Sequence, residues 1–232
     1  KLDGHCKNTN AKRPHPRLGR PAADYAIFRK GRISTVDMTR EQAASLVNQV
    51  QNSHRLLAGF YRRLLPALDE MAAKFGAGFW FWDPINFDRP CRSTTKPSSK
   101  WAWDYLPLLN AQFVYARTDE EQQAVIQFQL HTDPSVLKRN RQGSGQPDPL
   151  SLPDATPAIR IYAYWLNESS VVDIKKQWEE AEYPKGDAFS ISTLTSELQG
   201  TWWEVDLADF MVAPQGTEAA IGKFVSLPAS DI

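Results

Sequence analysis

The chain has 232 residues, 42% hydrophobic and 23% charged, with 27 basic and 27 acidic side chains. That is a globular composition, long enough to bury a core without staples, and it excludes disorder over most of the length. No apolar stretch approaches the roughly 20 residues a membrane-spanning helix needs. Residues 1–6 lack the apolar core of a signal peptide, so the expectation is a cytoplasmic protein.

The zero net charge hides an asymmetry. Residues 1–40 hold ten Lys/Arg against Asp3, Asp24 and Asp37, a balance of +7, and the remainder carries −7. The chain therefore reads as a basic, irregular arm over 1–38 and a single acidic domain over 39–232. The arm is expected to fold back on the body by attraction. The acidic body argues against nucleic-acid binding by the main domain, since phosphate contacts need clustered Lys/Arg.

In chain order, Pro14, Pro16 and Pro21 mark the arm, and residues 25–28 read as a short strand. Thr39-Arg-Glu-Gln42 matches a capping box. From Ala43 to Met71 apolar residues recur at helical spacing (Leu46, Val50, Leu57, Leu64, Leu68). Pro66 lacks an N–H and should kink this helix or divide it, and Gly76 should stop it. The segment Phe79-Trp-Phe-Trp82 reads as a strand and 86–100 as a long loop. Residues 101–105 read as extended or as a helical turn. Strands are expected over 111–117 and 124–131, joined by a polar turn at 118–121, with the second half-buried. A Gly/Pro-rich loop over 139–157 leads to a strand ending at Leu166. A helix over 172–183 and strands over 189–194 and 202–207 complete the sheet. The elements do not alternate as βαβ units, so the fold class is α+β, mostly antiparallel, with the long helix packed on the sheet.

Chemistry-bearing patterns are sparse. The histidines His5, His15, His54 and His131 stand in no zinc spacing with Cys6 and Cys91. Those two cysteines make no disulfide framework, and whether they pair stays open. Gly143-Ser-Gly145 lacks the Lys of a phosphate loop. The strongest enzyme pattern is Pro153-Asp154 followed by Asp173-Ile-Lys175, a P-D…D-x-K arrangement. Two acids would hold a divalent ion while the Lys assists water attack, as in a metal-dependent nuclease. The competing reading makes Asp173 a helix cap and Lys175 a solvated side chain.

Aromatics are the informative excess: eight Trp, seven Tyr and eleven Phe. Trp80, Trp82, Trp101, Trp103, Trp202 and Trp203 form pairs. Alternation along a strand buries one member and leaves the other on the second face. Exposed rings beside acids are the usual make-up of a protein-binding hot spot. The contact candidates are therefore Trp80, Trp82, Trp101 and Trp103, with the acidic clusters Asp119, Glu120, Glu121 and Glu179, Glu180, Glu182.

The segments Phe79-Trp-Phe-Trp-Asp83, Trp101-Ala-Trp-Asp104 and Trp202-Trp-Glu-Val-Asp-Leu207, behind a long N-terminal helix, resemble the bacterial immunity proteins of polymorphic-toxin and type VI secretion systems. The resemblance covers about residues 40–210, in particular to those immunity proteins that accompany toxins of restriction-nuclease type. It implies a protein without catalysis, cofactor or metal that binds a cognate toxin tightly and blocks it. An acidic surface would suit a nuclease that is basic where it meets nucleic acid.

Overall fold

A computed structural model describes residues 38–119, 122–137, 146–149, 151–167 and 172–225. Residues 1–37 of the arm, with the strand expected at 25–28, Glu120, Glu121 and residues 139–145 and 150 of the expected loop lie outside the described residues.

The chain is α+β. Helix α1 (Arg40–Lys74) is followed by β1 (Gly78–Pro84), β2 (Asn110–Thr118), β3 (Gln123–His131), β4 (Ala158–Leu166), α2 (Ile174–Glu180), β5 (Ser192–Thr193), β6 (Leu198–Asp206), α3 (Leu207–Val212) and α4 (Pro214–Ile221). The sheet has six strands in the order β1-β2-β3-β4-β6-β5, and every neighbouring pair is antiparallel.

Helix α1 begins as its sequence dictates. The Thr39 hydroxyl accepts from the Gln42 amide at 3.2 Å, and the Thr39 amide donates to Gln42 Oε1 at 2.9 Å. It ends in a Schellman motif: Ala77 N–H donates to the Ala72 carbonyl and Gly76 N–H to that of Ala73. Gly76 supplies the left-handed φ of 68° the motif needs. Pro66 does not divide the helix. Its missing N–H frees the Arg62 carbonyl on the exposed side, while Leu64 and Leu68 are held by the core.

The register sorts the strands into two faces. On one, Ala111, Phe113, Tyr115, Ile126, Phe128 and Leu130 meet Ile159, Ile161 and Trp203 from the next strands. Onto them pack Leu64, Leu68, Met71 and Phe75 of α1, with Phe210 and Ile221 of α3 and α4. This is the main core, and each large side chain sealed in it contributes about 1.5–3 kcal/mol.

The second face is divided. Val114, Val125, Tyr164 and Leu198 are covered by Ile174 and Trp178 of α2. Beside them runs a polar strip, so β3 is buried on both faces. The half-buried strand expected there is corrected by Tyr183, which follows α2 and lies across the glutamines. Gln127 Nε2 donates to Gln112 Oε1 at 2.6 Å and to Tyr183 Oη at 3.3 Å, and Gln129 Nε2 reaches Tyr183 Oη at 3.0 Å.

Strand β5 is far shorter than the expected 189–194, because Phe189 takes a φ of 64° that breaks the extended run. Strand β6 stops at Asp206, whose carboxylate accepts from the Ala208 and Asp209 amides and starts α3. Helix α4 opens with Pro214 at its first turn. These two helices carry start signals in the sequence, Asp206 and Pro214, in a stretch too short to show a helical period.

Candidate protein-binding surface

Two apolar regions of the surface have no partner among the described residues. The first is the amino-terminal part of α1. No residue from Arg40 to Arg63 is buried, and the buried positions begin at Leu64. Yet the apolar stripe runs unbroken through both parts, with Leu46, Val50, Leu57 and Phe60 continuing the line of Leu64 and Met71. Val47 is 67% exposed and Leu56 74%. Arg40, Arg55, Arg62 and Arg63 are carried on this part of the helix, where Glu41 is the one acidic residue. At about 3.6 residues per turn, Arg55 and Arg62 stand on the face away from the stripe.

The second region is a cleft of about 780 Å³ between α1 and the outer edge of the sheet. Leu65 and Asp69 of α1 form one wall, Phe79 and Trp82 of β1 the other, and Leu108 closes one end. At its floor the Tyr115 hydroxyl donates to Asp69 at 2.7 Å. Burial, then this bond to Asp69, pushes the Tyr115 phenol well above its ordinary value, so it stays a donor at any physiological pH. Asp69 is the one charged group lining the cleft.

A bulge in β1 builds this wall. The register with β2 slips between Phe79 and Phe81. Phe79 and Trp82 consequently face α1, while Trp80 and Phe81 both turn to the other face, where Trp80 packs edge-on to Trp178 at 5.3 Å. Strict alternation would have put Trp80 and Trp82 on the same face; the bulge separates them.

The other sequence candidates scatter. Trp103 is corrected to a core residue: it is buried, stacks on Phe87 at 5.6 Å and donates Nε1–H to the Pro147 carbonyl at 2.9 Å. Residues 102–105 form a 3₁₀ helix, the turn that competed with an extended reading, and Trp101 packs half-buried against Phe87. Trp203 is buried and Trp202 half-buried on the opposite face, with the Arg160 guanidinium 4.9 Å above its ring, as alternation requires. Asp119 pairs with the buried Arg117. Glu179 and Glu180 are exposed at the end of α2, and Glu182 is paired with Lys185, whose hydrogen bond holds its carboxyl below the ordinary range. Trp101 and Trp103 sit beyond the His131 end of the sheet and Asp119 at the Gln123 end, so the eight described candidates do not make one face.

The nuclease pattern is not assembled either. Asp173 caps α2 by accepting from the Lys175 amide at 2.9 Å, and Lys175 Nζ stands 5.0 Å over the Trp80 ring. The Ile174 amide ties this corner to Gln123 at the start of β3. Asp154 lies between Leu152, which packs with Val136, and Pro157, whose carbonyl accepts from Leu207. Those anchors are at the His131 end, about 26 Å away along β3 at ~3.3 Å per residue. Among the described residues no three His, Cys, Asp or Glu side chains are gathered as metal ligands. No helix among them is long and apolar enough to cross a membrane.

The fold and this surface define an α+β protein with an antiparallel sheet, one long partly unpacked helix and an apolar cleft at an open sheet edge. A family model described as PM0109 matches residues 40–229, and the chain belongs to that family. No curated protein and no solved structure matches it.

Proposed function

We propose that the protein acts by holding another protein, and that its partner is the cognate toxin the immunity resemblance implies. One observation carries this reading: the stripe of α1 that seals the core from Phe60 and Leu64 onward continues over Ala43–Leu57 with no cover among the described residues. A helix in water gains nothing from such a stripe, and a partner that covers it gains about 25 cal/mol per Å² of apolar area. The family match begins at Arg40, so the uncovered part belongs to the family unit and the arm does not. The four arginines on this part of the helix, against the single Glu41, call for a toxin surface that is apolar where it meets the stripe and acidic around it. This part of the contact is basic, whereas the acidic groups stand elsewhere on the body.

The test is co-expression with the toxin encoded beside the gene. A stable complex and protection of growth are expected. The double variant Val50→Glu with Leu57→Glu should weaken the complex at least a hundredfold and abolish protection, with an unchanged melting temperature. Failure of the parent chain to form a complex, or full protection by the double variant, would overturn the reading.

A further inference from the structure

We infer that β1 accepts an extended peptide segment of a partner as a seventh strand, with alternate side chains of that segment entering the cleft against α1. This rests on the proposed protein-holding function and names a second surface and mode for it. Among the described residues β1 pairs only with β2, and no described strand occupies its outer edge. Open edges recruit strands unless a protein covers or charges them. Among the described residues the hydrogen bond to this edge comes from one side chain: Arg89 Nη2 donates to the Trp82 carbonyl at 2.9 Å, pairs with Asp83 at 3.1 Å and lies 4.9 Å over the Trp82 ring. The Trp82 carbonyl is therefore directed out of the sheet, and Arg89 stands where the amide of an added strand would donate. Arg89 is well exposed and its ion pair is of the weak surface kind, so it yields readily.

The cleft supplies the side-chain half of recognition. Successive side chains of an added strand point to opposite faces, so every second one lands beside Phe79 and Trp82. Phe79, 55% exposed, is already held edge-on by Tyr115 at 5.7 Å and offers a preformed wall. Charge narrows the occupant further. Asp69 is the one charged lining group, and it is acceptor-only, with one oxygen engaged by Tyr115. The segment that fits alternates apolar residues and places one Lys or Arg at the α1 wall.

The probe is a phage-displayed heptapeptide library panned against the full chain, followed by anisotropy with the selected peptide. Enriched peptides should alternate apolar residues and carry one basic residue. Methylating the peptide's backbone nitrogens one at a time should weaken binding tenfold or more at every second position and less than twofold between them. Phe79→Ser, a change at an exposed site, should cost tenfold. Asp69→Asn should cost several-fold for the basic peptide and nothing for its norleucine analogue. No enrichment, uniform tolerance of methylation, or unchanged binding by Phe79→Ser would overturn the inference. So would competition by a peptide of residues 22–36, which would give the groove to the chain's own arm, or a concentration-dependent dimer lost in Phe79→Ser, which would give it to a second copy. A toxin complex that survives Phe79→Ser but not the Val50→Glu, Leu57→Glu pair sinks the groove alone. Peptide binding with the alternating signature but no toxin complex sinks the immunity role alone.

Discussion

From Phe60 and Leu64 onward the apolar stripe of α1 is packed against the core, whereas from Ala43 to Leu57 no described residue outside the helix covers the same stripe. The two halves differ little in pattern; they differ in what lies across from them. At ~1.5 Å per residue the helix is about 52 Å long, more than this sheet can cover. An isolated helix of the uncovered length is marginal in water. Its helicity is held from both ends, by propagation from the anchored half and by the capping box at Thr39. A periodic stripe thus reports that a helix has a partner without saying that the partner belongs to the same chain.

Core truncation tests this contrast most strongly. Leu68→Ala should lower the free energy of unfolding by about 2–5 kcal/mol in urea titrations, through lost burial and a cavity. Val50→Ala, on the same stripe, should stay within about 0.5 kcal/mol of the parent. A comparable loss at both sites would break the comparison, by showing that the projecting half is packed in the free chain.

Next in size is the polar strip on the opposite face of the sheet. Gln127→Ala removes the donor to the buried Gln112 carbonyl oxygen and the acceptor of the buried Tyr164 hydroxyl, and should cost about 1–3 kcal/mol. This separates the sheet's own stability from anything α1 contributes.

The junction between the halves has a pH signature. Burial pushes the Tyr61 phenol from 10.0 up to about 12, and Tyr115 is raised as well. A raised phenol favours the protonated, folded form, so the contribution is complete below pH 10 and is lost as pH rises from 10 toward 12. Thermal melts should show that decline, and Tyr61→Phe with Tyr115→Phe should flatten it.

The smallest global effect is expected from Thr39→Ala. Loss of the cap costs the helix end roughly 1 kcal/mol, so amide exchange over residues 41–50 should quicken about fivefold. The unfolding midpoint should hold, because the frayed turn buries nothing.

Much of this fold is legible locally. The capping box, the Gly76 stop and the alternation in Phe113–Tyr115, Ile126–Leu130 and Ile159–Tyr164 each lie within a few residues and mark α1, β2, β3 and β4. The candidate site is less so. The bulge that sends Trp80 and Trp82 to opposite faces depends on pairing with β2, some thirty residues away. Trp103 belongs to the core because Phe87 and Pro147 close over it, and the glutamines of β3 are buried because Tyr183 returns across them.

By itself the sequence determined the start and period of α1 and the extended character of β1, β2, β3 and β4, since these follow from side-chain spacing and backbone chemistry at short range. The tertiary structure alone decided which ends meet. It set Asp154 and Asp173 at opposite ends of the sheet, left the edge of β1 open beside an apolar cleft, and gave α1 more length than the body can cover. Each outcome turns on contacts between residues far apart in the chain, which register and packing fix only when the strands assemble.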